Sequence, residues 1–177
     1  MYARSIAASC VAAIALNLPA FLAPRFTLDA TGAVRLDAVG HEARYGIIAG
    51  DSSSVLSVSL GATGGGSALQ LRLPTAGVPH PGRYPIRPSW DDRTTDSTVQ
   101  AFFAAGSPEH PLGWFHGDSG TVTITRADNG RLSGSFEIRA RGYLVADTIE
   151  QERWVTVTGA FEAEGDSTTT TTIARAK

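Results

Sequence analysis

After Pro24, apolar and polar residues alternate with a period of two along most of the chain, the pattern of strands that bury one face and wet the other. Residues 25–29 and 33–39 read as two strands around a glycine turn at Gly32, a natural hairpin. Residues 44–49 and 54–60 flank Gly50 and Asp51 and form a second pair, and Leu69, Leu71 and Leu73 share one face of a run at 68–73. The most explicit pair joins 121–126 to 131–140. Val122 and Ile124 face one side of the first strand, Leu132, Phe136 and Ile138 one side of the second, and Asn129-Gly130 supplies the positive φ angles of a tight hairpin. The last strand runs over 153–163, with Gly159 as a candidate bulge.

Between these runs the chain is broken by Gly and Pro. Three successive glycines, Gly64 to Gly66, leave the backbone unrestricted, and Pro79, Pro81, Pro85 and Pro88 limit residues 77–97 to short extended pieces such as 82–86, because proline donates no ladder hydrogen bond. Residues 98–105 fit two readings: the alanines permit a helical turn, while Val99, Phe102 and Phe103 suit a strand. No segment beyond the N-terminal stretch keeps a helical period. The expected fold is all-β, an antiparallel β-sandwich or partly open barrel of about 8–10 short strands, preceded by a signal helix. It places a signal peptide at 1–20, the β-domain at 24–165 and a Thr-rich tail or edge strand at 166–177.

The first 23 residues have a polar start with Arg4, an apolar run from Ile6 to Leu16, then Asn17, Pro19 and Ala20, the three-part layout of a secretory signal. The expectation is therefore a secreted, periplasmic or cell-envelope protein. Cleavage after Ala20 or after Ala23 are both open, and two other readings join them: lipidation at Cys10, or an uncut anchor. Those are the two routes by which the sequence suggests membrane contact. The chain of 177 residues carries a net charge of −2, so no strong positive field draws nucleic acid. Its one cysteine, Cys10, lies in the leader, which leaves the β-domain without thiol chemistry.

Several residues suggest chemistry, and each has a plainer reading. Gly117-Asp-Ser-Gly120 matches the tetrapeptide around a serine-protease nucleophile, and His41, Asp91 or Asp92, and Ser119 occur in the matching chain order. The same four residues are also turn formers, and the expected role is a turn entering the strand at Thr121. His80, His110, His116 and Asp118 have metal-ligand chemistry but no compact ligand spacing, so no metal and no cofactor is expected. Asp91-Asp92 with Glu109 has the residue types of a glycosidase acid/base pair, without a separation that sequence can supply.

Residues 119–125, Gly134-Ser-Phe136 and 155–161 follow a G-T-V-x-I-T, G-x-F, V-T-V-T-x-G-x-F pattern, and Pro81-Gly-Arg-Tyr84 is a P-G-x-Y turn before a strand. In these pieces the chain resembles uncharacterised exported bacterial all-β domain proteins. That resemblance implies an exported or lipid-anchored sandwich and brings no catalytic residues with it. Aromatic side chains gather in the middle third, with Tyr84, Trp90, Trp114, Phe115 and His116 the candidate binding residues, presented from loops between His80 and Asp118. The function expected is non-enzymatic binding of a glycan, an envelope component or a protein partner. The alternative is a secreted serine-type hydrolase using Ser119.

Overall fold

The computed structural model describes residues 25–49, 54–61, 68–75, 77–88, 97–147 and 151–165. Among them there is no helix and one sheet of ten strands. The strands are β1 (Phe26–Gly32), β2 (Leu36–Gly40), β3 (Glu42–Ala49), β4 (Ser54–Gly61) and β5 (Ala68–Pro74), then β6 (Gly82–Pro85), β7 (Gln100–Gly106), β8 (Pro111–Asp128), β9 (Arg131–Leu144) and β10 (Arg153–Gly165). The leader, Trp90, Asp91, Asp92 and the Thr-rich tail lie outside the described residues.

The pairings close on themselves. From β3 the antiparallel order runs through β4, β5, β7, β8, β9 and β10. β10 then pairs with β1, β1 with β2, and β2 leads through His41 into β3. Past the first residue of β1, Phe26, which pairs with Phe161, Glu164 and Gly165 of β10 pair directly and in parallel with Arg44 and Tyr45. Between the two architectures expected, sandwich or barrel, the register therefore gives a barrel. β6 and β7 lie end to end along one edge of β8, β6 against Thr121 to Ile124 and β7 against Pro111 to His116. Counted around the wall, each stave neighbours the next in sequence, an up-and-down arrangement that leaves only β2 and β6 paired along a single edge among the described residues.

Period-two alternation fills the interior. On β9, Leu132, Gly134, Phe136, Ile138 and Ala140 are buried while Ser135, Glu137 and Arg139 between them face water. Phe26, Phe103 and Phe115 are among the largest fully buried side chains. An interior void lined by residues such as Leu56, Val99, Ile124 and Phe161 measures about 10 Å³, below or at the volume one water needs. An eight-stave barrel is just wide enough for side chains to fill, and here they do.

Two phenylalanines each sit opposite a glycine. Phe136 pairs with Gly159 and Phe161 with Gly134, and the two rings stack at 6.4 Å between centroids. Gly159 is not the bulge expected, because the β9–β10 register passes through it unbroken. It is glycine because a Cβ there would collide with the Thr27 carbonyl of β1 and the Phe136 ring.

Local signals resolve the remaining expectations. Asn129 and Gly130 have φ of 48° and 71°, as the Asn-Gly hairpin requires. Residues 98–105 contribute strand β7, with Ala101, Phe103 and Ala105 facing inward. The segment from Gly117 to Gly120 is not the turn expected. It lies within β8, where the register against β9 shifts between Gly117 and Ser119, so Asp118 is the extra residue of a bulge. Gly120, at φ +133°, accepts the Ile86 amide, and Ile86 bridges to Val99 at the base of the proline-rich excursion.

Candidate functional site

Because Phe103 and Phe115 point inward, their neighbours on β7 and β8 must point out. Ala104, Trp114 and Tyr143 stand in one cross-strand row, and Phe102, His116 and Arg141 in the next. Beyond Trp114 the Val145 amide donates to the Leu112 carbonyl at 2.9 Å, which brings those two side-chain positions together. Leu112, Trp114, Tyr143 and Val145 are 53, 55, 47 and 50% exposed. Four large apolar residues thus form one patch on the outer wall, a feature that marks interaction surfaces more often than it occurs by chance.

Beside this patch lies an open depression of about 550 Å³ across β4, β5, β7 and β8. Its shape follows from residue size. Gly61, Ala68 and Ala104 are direct cross-strand partners, and together they leave a hollow where larger side chains would rise. Trp114 closes the row on β8, and Gln70, Phe102 and His116 rise in the row beside it. Phe102 meets the His116 imidazole edge-on, with ring centroids 5.1 Å apart. The Arg72 guanidinium lies 5.2 Å from the Phe102 centroid, and the Gln70 amide donates to Ser57 Oγ at 3.2 Å. Among the described lining residues there is no carboxylate, and Glu42, the cross-strand partner of Gly61, places its carboxylate at the edge of the floor. Arg141, the cross-strand neighbour of His116, is engaged by Asp118 at 3.5 Å and Glu152 at 3.2 Å.

Of the residues expected from sequence, Trp114 and His116 come together at this site. They are presented by the wall strand β8, not by a loop. Phe115, between them, is 1% exposed and stacks on Phe103 at 6.0 Å, so its ring belongs to the interior. Tyr84 is half-buried on β6 opposite Val122, its hydroxyl donating to the His80 carbonyl at 2.7 Å. Eight residues of extended β8 separate Val122 from Trp114, about 26 Å. Leu112, Tyr143, Val145, Gln70 and Arg72 were not expected. For Tyr143 a signal existed: it follows Arg139 and Arg141 in the outward phase of β9, where an aromatic side chain has no interior to fill.

The other candidates do not converge. Ser119 is exposed at the β8 bulge opposite Arg139. His41 is exposed between β2 and β3, with β9, β10 and β1 intervening along the sheet, a path of about 19 Å at ordinary strand spacing. His110 and Glu109 belong to the β7–β8 turn, where the His110 amide donates to Ser107 Oγ at 3.0 Å. Among the described residues, no three His, Cys, Asp or Glu side chains are grouped to hold a metal. Away from this site, Asp29 and Asp37 face each other across β1 and β2. The Asp29 carboxyl is raised above its ordinary 3.8 by a side-chain hydrogen bond with Asp37, by desolvation and by the Asp37 charge, with Arg35 opposing.

Compared with protein-family models, curated proteins and solved structures, the chain matches none. The fold defines an all-β barrel, antiparallel except where β10 meets β3, with a hollow of about 550 Å³ on its outer wall.

Proposed function

We propose that this is an exported, non-enzymatic binding module that holds a glycan in the outer depression beside Trp114. The observation that carries the reading is the exposed Trp114 indole standing against a hollow floored by Gly61, Ala68 and Ala104. An indole offers a broad apolar face at little rotamer cost, the shape that the C–H face of a pyranose covers. Gln70 and His116 add the few polar groups that orient a ligand in a mostly apolar site.

The non-enzymatic part rests on the described lining residues, which include one imidazole and, with Glu42 at the edge by Gly61, a single neighbouring carboxylate, a set suited to holding a sugar and not to the paired carboxylates of glycoside cleavage. Export is supported by the three-part layout of the first 23 residues.

The test is affinity electrophoresis through gels containing a panel of soluble polysaccharides. Retardation by at least one of them, abolished in Trp114→Ala with an unchanged melting curve, is the expected result. Mobility unaffected by every glycan, or retardation that Trp114→Ala leaves intact, contradicts it.

A further inference from the structure

From the charges around the depression we infer that its ligand is an acidic glycan, a chain containing uronic acid residues, and that Arg72 binds the sugar carboxylate. This rests on the glycan-binding reading above and adds the charge of the ligand to it. Arg72 is exposed on β5, two residues beyond Gln70 on the same face. Its guanidinium is held over the Phe102 ring at 5.2 Å, so it stands at the rim of the hollow that Phe102 helps to line.

Stacking occupies the flat face of a guanidinium and leaves its in-plane N–H fork available, and that fork matches a carboxylate in two-point geometry. Other arginines of the wall are already engaged by acids: Arg141 by Asp118 and Glu152, Arg153 by Asp147, Arg131 by Glu162. Arg72 has no carboxylate partner among the described residues; the acid at the hollow's edge is Glu42, the cross-strand partner of Gly61, whose carboxylate lies at the far side of the floor from Arg72. An anionic ligand at the Arg72 end of the hollow therefore meets a preoriented cation without displacing an existing ion pair.

Arg72 lies on β5 and Trp114 on β8, with β7 between them, and the Arg72 guanidinium reaches over Phe102, whose row adjoins that of Ala104 and Trp114. A sugar stacked on Trp114, or the next one along the chain, thus brings a carboxylate into the guanidinium's range.

The experiment titrates the full chain, by calorimetry at low salt, with α-1,4-linked trigalacturonic acid and with its fully methyl-esterified form, which keeps the sugar shape and removes the charge. The acid is expected to bind at least about ten-fold tighter than the ester. Arg72→Gln should bring the two within about two-fold of each other, and Arg83→Gln, an exposed arginine on β6, should leave the ratio unchanged. Equal binding of acid and ester, binding of neither, a ratio that Arg72→Gln does not move, or one that Arg83→Gln moves equally, overturns the acidic specificity. The underlying site is judged separately. It stands if a neutral panel glycan is retained in a Trp114-dependent way, and falls with the inference if no glycan is.

Discussion

Trp114 and Phe115 are consecutive residues of β8 that face opposite sides of the barrel wall, the indole 55% exposed and the phenyl ring 1% exposed against Phe103. Strand alternation thus assigns one aromatic to the surface and its neighbour to the core. Their substitutions should separate cleanly. Phe115→Ala is expected to lower unfolding free energy by about 3–5 kcal/mol through the cavity it leaves. Trp114→Ala should cost under about 1 kcal/mol, the scale of one exposed cross-strand pair with Tyr143. Denaturant titration of the two variants checks this, and equal losses would contradict the assignment.

Filling the hollow should block it without harming the fold. Ala104 lies in the floor, between Ala68 and Trp114. In Ala104→Trp the larger side chain occupies the ligand's space, so glycan affinity should fall more than about ten-fold. Stability should stay within about 1 kcal/mol, as for most surface substitutions. Affinity electrophoresis paired with a melting curve reads both. Undiminished retardation would place the ligand elsewhere.

The reciprocal Phe–Gly pairs make an opposite prediction. A methyl group at Gly159 meets the Thr27 carbonyl and the Phe136 ring, so Gly159→Ala should destabilise by about 1–3 kcal/mol, the range for overpacked sites. Gly130→Ala offers the contrast, since nothing lies within 4 Å of a Cβ there and its cost comes from φ +71° alone. Denaturation midpoints measured side by side test whether close approach or backbone angle governs each glycine. A Gly159→Ala variant as stable as the parent contradicts the packing described.

The Asp29–Asp37 pair predicts a pH dependence. Because the Asp29 carboxyl is raised in the folded state, its shared proton contributes stability fully below the ordinary value of 3.8. That contribution is lost as pH rises through the folded-state value. At neutral pH two like charges then face each other across β1 and β2, an unfavourable arrangement. Asp37→Asn should therefore raise the melting temperature relative to the parent at pH 7, and the difference should shrink toward pH 3. A difference that is negative, or the same at both pH values, contradicts this.

Much of the wall was legible in the sequence because its determinants are local. Leu132, Phe136 and Ile138 mark their strand by alternation alone, and Asn129-Gly130 marks its turn by backbone chemistry. Gly117-Asp-Ser-Gly120 has the same turn chemistry, yet it bulges within β8 because the β9 ladder continues on both sides of it. Phe115 was grouped with the binding aromatics although its phase matches the inward residues of β8. The hollow was not legible. Gly61, Ala68 and Ala104 are unremarkable in their own segments and make a floor only when the register of β4, β5 and β7 sets them side by side. Arg72 likewise gains its place from Phe102 on a neighbouring strand.

The most direct measurement is a map of backbone amide shifts by nuclear magnetic resonance as the protein is titrated with the polysaccharide fragment that retards it. Perturbations concentrated at Gly61, Ala68, Phe102, Ala104 and Trp114, absent in Trp114→Ala, are the predicted result. Perturbations confined to the β1–β2 turn, to the surroundings of Tyr84 or to Ser119 would contradict it.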